Sequence, residues 1–183
     1  RNLCSRLPQF IREEPRWTAP RTALAHAVAR FEWAQTVAFD GEARPVLTAD
    51  DLADVPPAKL RLALQPYVSL LRLDWPVDDY VIAVKRRDAL RGEASHAVDH
   101  GPRAASRKRV PLPRRGRVFI VVHRYNERLY YKRVDSAAFK VLEKLAAGCT
   151  LAKAAAAAGR GVTPEQMRDW FETWMELGWF CRR

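Results

Sequence analysis

Glycine-rich phosphate loops, paired cysteines, long apolar runs and, over one long stretch, acidic residues are all missing from this chain of 183 residues. Each absence closes a class of function. The eight glycines are scattered, so no run of backbone N–H groups can cradle a phosphate. Gly161-Val162-Thr163 precedes a helix signal but holds too few glycines for that task. No Gly-x-Ser-x-Gly elbow and no Cys–His pair offers an activated nucleophile. The three cysteines, Cys4, Cys149 and Cys181, are odd in number and far apart, which argues against a disulfide framework and for a reducing compartment, the cytoplasm. Cys149, beside Gly148 at a helix start, is the one candidate for a lowered thiol pKa, and a reactive role for it is not expected. No apolar run approaches the roughly 20 residues a membrane span needs, so no membrane partner is expected. The chain opens at Arg1, already in a helix-like segment, and is expected to be part of a longer protein.

What is present is charge of one sign. The formal net charge is +11, alongside 48% apolar residues and six tryptophans. A globular, basic chain implies an acidic partner: nucleic acid, an acidic peptide or an acidic protein surface.

The apolar periodicity predicts a helix over 22–39, with Leu24, Ala27, Val28, Phe31, Ala34, Val37 and Ala38 on one face and Gly41 at its stop. Thr48 opens a short helix at 49–54, ended by Pro56-Pro57. Pro66 breaks the chain before the apolar stretch 68–73. Trp75-Pro76 precedes a helix at 77–89 with Val77, Tyr80, Val81 and Val84 inward. From 91 to 117 glycine, proline and arginine dominate, and no acid occurs between His100 and Asn126. The period then becomes two: strands at 118–124 and 129–134 flank a turn at 125–128. Asp135, Thr150 and Thr163-Pro164 cap three helices, at 136–147, 151–158 and 164–177. Trp179-Phe180 ends the pattern as a short strand. The expected fold is mainly α: a helical lobe (1–98), a basic linker (99–117) and a winged-helix-like α+β lobe (118–183) with a β-hairpin followed by three helices.

No residue set points to catalysis. His96, Asp99 and His100 have helical metal-ligand spacing but sit in the glycine-bounded linker, so no metal or cofactor is expected. Asp50-Asp51 and Asp78-Asp79 lie at helix starts, where carboxylates satisfy free N–H groups. Trp170, Phe171, Trp174, Trp179 and Phe180 are mostly core by their helical spacing, with one of them free to line a groove. The basic patch comprises Arg107, Lys108, Arg109, Arg114, Arg115 and Arg117.

Ala29-Arg30-Phe31-Glu32-Trp33-Ala34, Leu62-x-Leu64-x-Pro66-x-Val68, Leu70-Leu71 and Trp75-Pro76-Val77 resemble the HvfC/BufC-type peptide-modification chaperones, a family also described as a DNA-binding domain. The likeness extends over about 7–180. It implies a non-catalytic partner of a multinuclear non-haem iron oxidase and of that enzyme's ribosomally made precursor peptide. The hairpin-plus-helices end is similar in layout to PqqD-like peptide-recognition elements, in which an extended peptide adds beside the sheet. Glu32, Trp33 and Trp75, within the matching motifs, are the expected docking residues for the enzyme.

Physical reasoning reaches the same partner class. A two-stranded sheet exposes backbone edges. Val118, Ile120 and Val122, or the 129–134 strand, would pair with the peptide. Trp170 and Trp174 would shape pockets, Tyr131 would join the peptide-binding strand, and Arg124, Lys132 and Arg133 would draw an acidic leader by charge. The alternative is a DNA-binding regulator using the winged-helix-like lobe and the basic segment. It is disfavoured because 165–176 carries Glu165, Asp169, Glu172 and Glu176 against Gln166 and Arg168, four carboxylates facing phosphates.

Overall fold

The computed structural model describes residues 2–48, 50–52, 55–56, 58–89 and 109–182. Among them run six α-helices: α1 (Asn2–Glu13), α2 (Thr22–Asp40), α3 (Val77–Ala89), α4 (Ser136–Ala146), α5 (Leu151–Ala156) and α6 (Pro164–Glu176). Five strands accompany them: β1 (Ala63–Leu64), β2 (Ser69–Leu73), β3 (Val118–Tyr125), β4 (Arg128–Arg133) and β5 (Phe180–Cys181). The strands form two antiparallel sheets, β1–β5 and β2–β3–β4. This corrects the expected class. The chain is an α+β mix rather than mainly α.

The correction has a local cause. Residues 68–73 read V-S-L-L-R-L, with no clean alternation, and such a short apolar run is ambiguous between helix and strand. In the fold Ser69–Leu73 pairs along β3, from Ser69↔Val122 to Leu73↔Val118. Ala63–Leu64 pairs with Phe180–Cys181. Strands from the stretch expected to be a helical lobe thus complete both sheets of the other.

The local signals worked where they were specific. Asp135 accepts from the Ala137 and Ala138 amides at the start of α4, and Thr150 and Thr163 cap α5 and α6 through the amides of Lys153 and Gln166. Asn126 and Glu127 both have positive φ, 47° and 57°, the backbone of a two-residue hairpin turn whose twist matches the flanking strands.

The three-stranded sheet is the middle layer. On one face Leu71, Leu73, Ile120 and Val122 pack against Ala27, Phe31, Ala34 and Ala38 of α2 and against Val77. On the other, Val121 joins Ala138, Val141, Leu142 and Leu145 of α4, Trp174 of α6, and Trp179 and Phe180. The period-two side-chain direction of β3 explains this split. α1 packs on α2 and buries Ile11.

Candidate peptide-docking edge

β3 is the central strand, so its two rims are occupied by β2 and β4. The expectation that Val118, Ile120 and Val122 offer a pairing edge is therefore corrected. β2 holds that edge, and Ile120 and Val122 are fully buried against α2. The other expected edge has a different fate. β4 is an outer strand, and its far side has no strand partner among the described residues.

Which β4 groups face outward follows from the hairpin. A two-residue turn makes Tyr125–Arg128 the closing hydrogen-bonded pair, and bonded pairs then alternate. In the observed register His123↔Tyr130 and Val121↔Lys132 are the next bonded pairs, and the Val134 amide continues the series by donating to the Phe119 carbonyl at 3.0 Å. The backbone N–H and C=O groups of Leu129, Tyr131 and Arg133 consequently point to the free side.

A trough runs between this strand and α6. One pocket of about 210 Å³, at the end of β4, lies among Lys132, Val134, Ala138, Asp169, Trp170 and Trp174. A second, about 310 Å³, lies among His123, Tyr125, Tyr130, Lys132 and Leu177. A third, about 280 Å³, reaches the hairpin turn and shares Tyr125 and Leu177 with the second. Lys132, common to the first two, sets them in succession along β4, and the third, which no β4 residue lines, continues past the turn.

The expected site residues divide among several fates. Trp174 is sealed at 1% exposure, while Trp170 is half-buried and stacks on it with ring centroids 6.1 Å apart. Trp170 alone of the two is open to a ligand. Tyr131 places its ring edge-on to Phe31, 5.1 Å away on the α2 side; it can serve a peptide through its backbone. Arg124 donates to the carbonyl oxygens of Phe39 (2.6 Å) and Gly41 (3.2 Å) and lies over the Tyr67 ring. It caps the end of α2 instead of steering a leader. Arg133 donates to both carboxylate oxygens of the buried Asp78, at 2.7 and 2.8 Å, and to Asp79 at 2.6 Å. These two carboxylates raise the pKa of its guanidinium further. Of the three cations expected to attract an acidic peptide, Lys132 alone makes neither a side-chain hydrogen bond nor an ion pair among the described residues.

Neither a family model nor a curated protein matches this chain. Its geometry is what bears on function.

The basic patch is also less free than its sequence implies. Asp74 lies 3.6 Å from Arg115 and 3.3 Å from Arg117, an acid supplied by the β2–α3 connection that no local charge count could reveal. Arg109 and Arg114 are exposed. Arg107 and Lys108, like His96, Asp99 and His100, lie outside the described residues. Among the described residues no group of three His, Cys, Asp or Glu could hold a metal ion. Trp75 is half-buried beneath the Arg115 guanidinium. Glu32 is exposed on α2, at a groove of about 320 Å³ between α1 and α2, and Trp33 is half-buried beside it in sequence. No hydrogen bond or ring contact joins Trp33 to Trp75.

Sequence reasoning missed His123. Only 2% exposed, it stacks on Tyr130 at 5.8 Å and meets Trp179 edge-on at 5.2 Å. Its Nδ1 is buried with no hydrogen-bond partner. Burial, then the nearby Lys132, push its pKa down, while the backbone of Arg124 pulls it up. Its place in the alternation of β3, on the α6 face with Val121, was the available signal.

Proposed function

We propose that this chain is a non-catalytic partner protein that holds a ribosomally made precursor peptide as an added strand on β4 and presents it to a multinuclear non-haem iron oxidase. One observation carries the docking step: the outer rim of β4, without a strand partner among the described residues, runs beside a trough bordered by α6. Strand addition would give the peptide main-chain hydrogen bonds to Leu129, Tyr131 and Arg133, and the successive pockets would read alternate side chains. The enzyme half of the proposal rests on the likeness of the Ala29–Ala34 and Leu62–Val77 motifs to the HvfC/BufC-type chaperones. Glu32, beside the α1–α2 groove, marks where the enzyme would dock.

Recognition of duplex DNA is the weaker alternative. Glu165, Asp169, Glu172 and Glu176 are all exposed on α6, and Asp74 already neutralises part of the basic segment.

The test is amide hydrogen exchange on the full chain, alone and saturated with any short peptide encoded beside its gene. Slowed exchange at Leu129, Tyr131 and Arg133 is the expected result. Unchanged exchange there at saturating peptide refutes strand addition. Duplex DNA bound tightly and sequence-selectively at about 0.2 M salt, where loose phosphate contacts fade, would favour the alternative.

A further inference from the structure

We propose that the central pocket of the trough is an anchor site for an aromatic side chain of the docked strand. The inference rests on strand addition at β4 and names the chemistry of the residue it reads.

A strand added to the rim of β4 must alternate its side chains between the two faces of the sheet. Those that lie beside Tyr130 and Lys132 enter the trough on the α6 side. The pocket they meet first is aromatic on three walls. His123 forms the inner wall, Tyr130 stacks on it with planes 22° apart, and Tyr125 stands edge-on to Tyr130 at 6.4 Å. Leu177 closes the α6 side. An incoming ring extends this series with the offset or edge-on contacts that aromatic pairs prefer.

Charge points the same way. Lys132, without an ion pair among the described residues, stands at the rim, where an ammonium complements the negative face of an aromatic ring. A carboxylate that passed the rim would meet no second cation, because burial and Lys132 hold the pKa of His123 below its usual value.

The probes are p-cresol and, as the acidic comparison, propionate, each titrated into the full chain while the His123 ring resonances are followed by NMR. Saturable shifts with p-cresol and none with propionate at equal concentration are expected. Leu177→Trp, which fills the pocket from the α6 side, and Tyr130→Ala, which removes an exposed wall, should each weaken p-cresol at least tenfold. Equal shifts from propionate, no shift from either probe, or an unaltered p-cresol titration in both variants overturns the proposal. Failure with p-cresol while a peptide still protects the amides of Leu129, Tyr131 and Arg133 removes the anchor and leaves strand addition standing. Binding of p-cresol with no peptide protection removes strand addition, and the anchor role with it.

Discussion

The two faces of the β2–β3–β4 sheet are built from the same strands and have opposite fates. On the α2 face Ile120 and Val122 meet Phe31 and Ala34, and Tyr131 closes the layer against Phe31. On the α6 face Val121 is equally buried, but one step toward the hairpin the packing opens into the trough around His123 and Tyr130. Alternate residues of a single strand therefore serve a sealed core and a candidate site. The outer rim of β4, unpaired among the described residues, belongs to neither face, and its backbone groups are what a peptide would pair with.

Substitutions can break this contrast in graded ways. Trp174→Ala should be the most damaging. The ring is sealed between Trp170 and Trp179, both about 6.1 Å away, and deleting a buried aromatic costs about 3–5 kcal/mol, readable as a lowered urea midpoint. Asp78→Ala should follow, at about 2–3 kcal/mol, because it strips a buried carboxylate from the Arg133 fork that ties α3 to β4. Trp170→Ala inverts the pattern: a loss of about 1 kcal/mol or less from a half-buried position, but a loss of peptide affinity of tenfold or more by fluorescence titration. A fall in affinity no larger than the stability change would show that Trp170 is only packing.

Acid should also separate the faces. His123 has its folded pKa below the usual 6.5, so below that pH the unfolded chain binds the proton more readily. Stability is complete above about 6.5 and declines as pH falls toward the folded value. His123→Phe should flatten that part of the pH–stability profile measured by urea titration. The smallest effect is expected at the hairpin turn. Glu127→Gly relieves a non-glycine residue at φ 57° and should stabilise by about 0.5–1 kcal/mol without altering the rim of β4.

Local chemistry was legible in the sequence and long-range pairing was not. Asp135, Thr150 and Thr163 announced three helix starts, and the alternation after residue 117 announced the hairpin, because each signal lies within a few residues of its effect. β2 escaped because L-L-R-L shows no period on its own; it becomes a strand only by finding β3 some fifty residues later. For the same reason the sequence offered Val118, Ile120 and Val122 as an open edge. The free cations were misjudged likewise: Arg133 and Arg117 find Asp78 and Asp74 only after folding. Trp170 and Trp174 share one helical face, yet only the layer above them decides that one is sealed and the other lines a pocket.

The pairing of Ala63–Leu64 with Phe180–Cys181, with Leu62 and Phe180 in one core, has a consequence for synthesis. During translation the front half of the chain emerges long before its partners exist, so Leu62 and Leu70 stay uncovered until residues near 120 and then 180 leave the ribosome. Closure across such separations is slow compared with local helix formation. A nascent copy therefore passes through a long interval as a sticky, incomplete molecule, and its yield in cells should respond more to chaperone supply than to modest changes in final stability.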